Sequence, residues 1–474
     1  MKGLIKMSKE KSAATLLKEK LFMDRKHAGL IMTDAEIAAC DDFCESYKSF
    51  LDSAKTEREA VVTTIARAKE EGFVEYKQGM SLKAGDKIYY NNRGKAIILA
   101  VIGNEPIENG VHLAAAHIDS PRIDLKQNPL YEDNEVALFK THYYGGIKKY
   151  QWATIPLSLH GVAVKKDGTK VTICIGEDEN DPVFFISDLL PHLAQEQVKR
   201  TLNEGIKGEE LNVIVGSRPF RDDDISEKVK LNILSILNEK YGMIESDFLS
   251  AEFEMVPAFK AKDIGFDRSL IGAYGHDDRV CAYTALEAIL GCDKVNKTAV
   301  VCLTDKEETG SDGNTGLCSA YLENFLYDLA ESFGVKGRTL ISNTECLSAD
   351  VNAAFDPTFP DVVERRNAAF LNYGVVVTKF TGARGKSGTS DASAEFVGRV
   401  RTLMEKNDII WQTGELGKVD LGGGGTVAAY LANMNMDVID CGGPVLSMHS
   451  PFEVTSKGDI FMAYKAYKAF YKDR

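Results

Sequence analysis

The chain has no CxxC pair, no tract rich in lysine and arginine, no self-similar repeat, and no apolar run near the about 18 residues that a membrane-spanning helix needs. Each absence excludes something. The nine cysteines (Cys40, Cys44, Cys174, Cys281, Cys292, Cys302, Cys318, Cys346, Cys441) are odd in number, scattered, and several sit within apolar runs. That pattern speaks against a disulfide framework or a thiolate zinc site and for buried thiols in a reducing cytoplasm. Without a basic patch, and with a formal charge of -13, the chain has no electrostatic footprint for a nucleic-acid partner. Lysines interrupt the apolar residues of MKGLIKMSKEKSAATLLKEKLF (1–22) too often for a signal-peptide core, so neither secretion nor a membrane partner is expected.

What is present is an ordinary globular composition, 44% hydrophobic and 27% charged over 474 residues, enough for about two to four domains. From residue 34 to about 73 the apolar spacing is helical, with Asp34 as a plausible N-cap. Alternating runs from 87 to 117 read as strands and end at HIDSPR. Between 122 and 259 the character changes to short strands and turns, with helices expected near 187–204 and 226–241. Beyond it the alternation of strand and helix resumes, including a helix near 317–333, a strand at TLIS (339–342) and a terminal amphipathic helix. This predicts an α/β fold divided as 1–121, 122–259 and 260–474, the middle part a β-rich insertion.

The stretch TAVVCLTDKEETGSDGNTG (298–316) puts Glu307 and Glu308 where an apolar, strand-like run ends, the position at which open α/β sheets bind ligands. Adjacent glutamates are also common on solvated loops. Four other places offer oxygen or imidazole ligands after probable strands: His117 with Asp119, then Asp277, Asp350 and His449. Imidazole and carboxylate without thiolate suit zinc, with cobalt or manganese as substitutes. Two cations sharing a bridging carboxylate need about five protein ligands, which this set supplies with one glutamate over, free to act as a general base. Each residue has a plainer alternative. Asp277 or Asp278 could cap the following helix, Asp350 could belong to a turn, and His449 could be a hydrogen-bonded turn histidine. His117 and Asp119, two apart, would share one face of a strand as ligand and orienting carboxylate. Gly422 to Gly425 and Thr426 lack the Gly-Lys-Ser/Thr of a phosphate loop, so a backbone approach to a peptide, at Gly425 and Thr426, is the better reading.

HIDSPR, GHDDR, DKEETGS, SAD and MHSPFE, in this order and at these intervals, resemble the motifs of the M18 metalloaminopeptidases, the aspartyl aminopeptidases. The resemblance covers most of the chain. It implies a mixed-sheet α/β catalytic domain with an inserted dimerisation domain, two zinc ions per subunit, and hydrolysis of N-terminal residues, possibly acidic ones (Asp or Glu), from peptide substrates. His117 and Asp350 would hold one zinc, Glu308 and His449 the other, with Asp277 between them. Glu307 would be the general base that activates the hydrolytic water, and Asp119 would orient His117. His192, in LLPHLAQE, corresponds to a histidine that reaches a neighbouring subunit's site within a homo-dodecamer built from dimers. Two stretches depart from the family pattern. TGARGKSGTSDASA replaces a segment carrying a lysine and a tyrosine near the substrate, with Lys386 as the candidate for that lysine, and QWATIPLSL follows the YGG segment. Related M42 aminopeptidases share much of the metal pattern. A carboxypeptidase or amide deacylase on the same centre, or an inactive shell-forming scaffold, are the other readings.

Overall fold

A computed structural model of the chain describes residues 11–222 and 224–473. The start of the N-terminal stretch, residues 1–10, on which the reading against a signal peptide partly rests, lies outside the described residues. Three sheets organise the molecule, a mixed sheet of nine strands, a sheet of seven and a smaller one of five.

At the centre of the nine-stranded sheet, Thr298–Thr304, Val111–His117, Glu345–Ser348 and Asp437–Gly442 run parallel. Every residue of Thr298–Thr304 and Val111–His117 is buried, as expected of strands covered on both faces. One face is covered by Asp34–Ser53, Glu57–Glu70, His276–Leu290, Ala394–Lys406 and Lys457–Lys472, the other by Tyr321–Glu331, Gly337–Ser342 and Ala428–Asn433. His276–Leu290 shows no amphipathic stripe because it packs against both the sheet and Lys457–Lys472, and all but one of its residues are buried. The first two body helices are fixed at their starts by capping boxes, Thr33 with Glu36 and Thr56 with Glu59. Thr33 is therefore the cap, and Asp34, expected there, opens the first turn.

All strands of the seven-stranded sheet come from the span Arg122 to Pro257, and Ala251–Pro257 pairs with both Arg122–Asp133 and Pro156–Val164, which closes six of them into a barrel. The barrel has its own core, built around Trp152, Phe139, Phe253 and Met255. The helix expected at 226–241 is present as Lys228–Tyr241. The one expected at 187–204 is not. That stretch holds only the short turns Gln197–Lys199 and Leu202–Glu204. Pro191 pushes Leu190 away from helical geometry, and Leu189, Leu190, Leu193 and Leu202 stay exposed among the described residues. TLIS, expected as a strand, lies in the helix Gly337–Ser342, and the strand follows as Glu345–Ser348. Four residues, two of them apolar, carry too little periodicity to separate the two. The five-stranded sheet joins Leu270–Ala273 to Glu453–Ser456 and brings residues near 277 and 449 beside the ends of the central strands.

Candidate metal centre

The four parallel central strands end together. His117, the last residue of its strand, is opposite Thr304, and Ser348 is opposite Ala115 and Asp440. Three residues past Thr304 the chain makes the tight turn Glu307–Thr309, and two past Ser348 it reaches Asp350. Asp277 and Asp278 stand at the start of His276–Leu290, where their backbone is not yet helical. His449 lies on the connection between Pro444–Leu446 and Glu453–Ser456.

These side chains converge. Nε2 of His117 is 3.1 Å from Oδ1 of Asp277, and Nε2 of His449 is 3.3 Å from Oδ2 of the same carboxylate and 3.4 Å from Oε2 of Glu308. His117, Asp277 and Glu308 offer ligand atoms all within 4.8 Å of one another, and so do His117, Asp278 and Asp350. Glu307 comes no nearer to His117 Nε2 than 3.9 Å. Asp277, Glu307, Glu308, Asp350 and His449 line one cavity of about 450 Å³.

So many carboxylates in one buried place repel. Burial, with Asp277 and its neighbours, raises Glu308 well above the usual carboxylate range, and burial does the same to Asp350 and Asp278. Burial beside Asp277 and Asp119 brings Glu307 to about 7 despite His117. Asp277 is held low in spite of its burial because an imidazole faces each of its oxygens. Burial disfavours the charged form of His449, yet Asp277 and Glu308 lift it to about 10. Oε1 of Glu308 and Oδ1 of Asp278 are buried with no hydrogen-bond partner among the described residues. Bound zinc would offset the crowded negative charge and give the buried Glu308 oxygen a partner, since imidazole nitrogens and carboxylate oxygens around an open cavity are the donors that zinc takes.

A second layer holds these groups. Asp119 does not sit on the strand beside His117, as the alternation suggested, because the strand ends at His117 and the chain turns. Its carbonyl oxygen lies 3.0 Å from Nδ1 of His117 and its carboxylate 3.4 Å away. That carboxylate accepts the backbone N–H of Glu307 at 3.1 Å, that of Glu308 at 3.2 Å, and the Tyr144 hydroxyl at 2.8 Å. Glu453 accepts the backbone N–H of Asp277 at 2.9 Å and of His449 at 2.6 Å, and burial pushes it up to about 8. The backbone N–H of His117 donates to Asp278. Sequence reasoning gave Asp278 only a possible capping role and assigned none to Glu453 or Tyr144. Glu453 sat in view, four residues after His449 in MHSPFE, but its partners are backbone amides that no spacing announces.

The candidates for substrate contact divide. Gly425 and Thr426 line the cavity together with Gly423 and Gly424. Lys386 does not. Its Nζ is 3.0 Å from Asp391 and 4.0 Å from the centre of the Phe380 ring, held on the outside of the 381–391 stretch. His192 is exposed in the 188–204 stretch and does not reach the cavity of its own chain. Among the described residues no lysine or arginine lines the cavity.

The family model described as "Aminopeptidase I zinc metalloprotease (M18)" matches residues 50–471. The "Probable M18 family aminopeptidase 1" of Clostridium acetobutylicum is 52% identical over 434 residues, 90% of this chain and 93% of that relative. The crystal structure of the M18 aminopeptidase of Thermotoga maritima superposes with a TM-score of 0.92 at 46% identity, covering 96% of this chain and all of that one. The S. cerevesiae mApe1 dodecamer, 20% identical, shares the fold with a TM-score of 0.74 over 91% of this chain and 96% of its own.

Proposed function

We propose, from the premise that the chain belongs to the M18 family of zinc metalloproteases and is an aminopeptidase of that family, that it removes N-terminal residues from peptides at a centre for two zinc ions. His117 and Asp350 would hold one, Glu308 and His449 the other, and Asp277, with an oxygen toward each imidazole, both. Cobalt or manganese suits the same donors. Bound zinc supplies a Lewis acid for the scissile carbonyl and lowers the pKa of water.

The chain's own groups do the rest. No hydrogen bond from a described side chain occupies the Glu307 carboxylate, and it faces the cavity. It takes a proton from the attacking water and returns it to the leaving amine. Asp119 fixes the backbone of both glutamates, so Glu307 stays free while Glu308 turns toward His449.

The observation that carries the reading is the charge of the cavity wall. Carboxylates crowd one end and, among the described residues, no lysine or arginine stands at any part. With bound metal offsetting its ligand carboxylates, Glu307 is left to attract a free α-ammonium and no cationic side chain lines the cavity to receive an α-carboxylate, which favours the amino end of a peptide over the carboxyl end. The same wall gives an acidic N-terminal side chain no cationic partner among the described residues. Val351, Leu416, Tyr430 and Met448 offer it an apolar surface instead, so uncharged N-terminal residues are preferred to Asp or Glu. A panel of aminoacyl-peptide substrates, each with a free and an N-acetylated amine, tests this. Cleavage of the free-amine leucyl substrate above the aspartyl one is expected, and equal cleavage of acetylated peptides would overturn it.

The same proposal includes a homo-oligomer, a dodecamer built from dimers, residing in the cytoplasm. The division into 1–121, 122–259 and 260–474 belongs to it, the middle part pairing subunits and His192 reaching a neighbour's site. Exposed Leu189, Leu190 and Leu193 around His192 support that contact. The mass in solution, by light scattering, tests it.

A further inference from the structure

We propose that the tripeptide Tyr144, Gly145 and Gly146, where the barrel strand Val136–Tyr144 ends, is a positioning element through which the barrel sets both halves of the metal centre. The inference rests on the metal-site reading given above.

Each residue of the tripeptide touches a different part of the site. Tyr144 donates its hydroxyl proton to Oδ2 of Asp119, the carboxylate that also holds the amides of Glu307 and Glu308 and faces His117. Gly145 has φ +75°, and a Cβ there would meet Cβ and Oε2 of Glu308, each at 3.3 Å. The carbonyl of Gly146 lies 2.8 Å from Nδ1 of His449. An N–H at Nδ1 donating to it leaves Nε2 unprotonated and aimed at Asp277 and Glu308. One short piece of barrel thus restrains His117 through Asp119 and His449 directly, and the glycine between them leaves the space that Glu308 takes.

Tyr144 is itself anchored across the junction between barrel and body. The guanidinium of Arg122 lies 4.0 Å from the centre of its ring. Arg122 pairs with Asp124 and Glu254 of the barrel, at 2.8 and 3.2 Å, and with Glu57 of the body helix Glu57–Glu70, at 3.4 Å. A shift of the barrel against the body would pull on Tyr144 and so on Asp119.

The test is the rate at which the full-length, zinc-loaded protein loses metal to a chelator. Tyr144→Phe removes one hydroxyl and keeps the ring for Arg122. We expect zinc loss about 10- to 100-fold faster, an altered visible spectrum of the cobalt-substituted protein, and an unchanged melting temperature of the metal-free form. Gly146→Ala, whose Cβ would lie 3.4 Å from Nδ1 of His449, is expected to speed zinc loss as well. Tyr143→Phe, on the exposed neighbour, should match the unsubstituted protein. Zinc loss at the unsubstituted rate in both test variants overturns the proposal, as does a Tyr144→Phe protein whose metal-free form melts lower in proportion. If the unsubstituted protein takes up no zinc, the metal-site reading fails instead.

Discussion

Glu307 and His117 approach without bonding: Oε2 stands 3.9 Å from Nε2, while the adjacent glutamate, Glu308, comes within 3.4 Å of His449. The backbone sets this difference. Both glutamate amides point at Asp119, which locks the turn, and consecutive side chains on a tight turn leave in different directions. Under the proposed function, two carboxylates of identical chemistry thereby receive different tasks, Glu308 as ligand and Glu307 as base.

Glu307→Gln is the sharpest check on that division. The amide is nearly the same size but accepts no proton at neutral pH. We expect kcat to fall by about 100- to 10,000-fold with the metal content unchanged. Near-normal turnover with full metal content would remove Glu307 from the role of base.

His449→Ala attacks the other function. It deletes a nitrogen that faces both Asp277 and Glu308 and leaves those buried carboxylates facing each other. We expect the purified variant to carry less metal per chain than the parent. Stripping the parent with a chelator should abolish activity, and added zinc, cobalt or manganese should restore it. A variant with the parent's metal content would take His449 out of the ligand set.

Lys386 offers a case where little should happen. It was the candidate for the lysine that the family pattern places near the substrate, but it is tied to Asp391 on the exposed side of its loop. Exposed pairs of this kind contribute about 0 to 1 kcal/mol. We expect Lys386→Ala to leave the ratio of leucyl to aspartyl peptide cleavage within about twofold of the parent, since a change of that size is under 1 kcal/mol. A selective loss of aspartyl cleavage would return Lys386 to the substrate.

Which parts of the site could be read without coordinates follows from how each part is built. His117, Glu307 and Glu308 were legible because parallel strands buried on both faces appear as largely apolar runs, and polar residues just past them mark the ligand-binding end of the sheet, whereas the strand expected before Asp350, TLIS, is helical and the short Glu345–Ser348 that replaces it carries no such run. Asp277 and His449 come together through the pairing of Leu270–Ala273 with Glu453–Ser456, strands far apart in the chain, so only the motif resemblance joined them. Tyr144 and Glu453 act on another side chain and on backbone amides, which leave no trace in spacing. Residues 187–204 misled for the opposite reason, since helical spacing is uninformative when nothing within the chain buries the apolar side.

The junction between barrel and body should show its charge in the pH dependence of stability. His160, on the barrel strand Pro156–Val164, has Nδ1 2.6 Å from Glu59 of the body and Nε2 3.1 Å from Glu177, which also takes Lys55 at 2.8 Å. Burial disfavours the imidazolium, but the Cys174 thiol and the carboxylates of Glu177 and Glu59 raise it to about 11. Glu177, despite burial, is held low by His160 and Lys55. A histidine whose folded pKa exceeds its unfolded value of about 6.5 contributes fully below that value and loses its contribution as pH rises through about 11. Glu177 works the other way, contributing above about pH 4.5 and less as the solution is acidified. His160→Gln, which keeps some hydrogen bonding but no charge, should therefore cost about 2 kcal/mol near pH 6 and progressively less toward pH 9. Thermal melts of parent and variant at both values measure this. A deficit that is the same at both, or larger at the alkaline one, would mean that the ring is neutral and that the barrel is docked by packing rather than by charge.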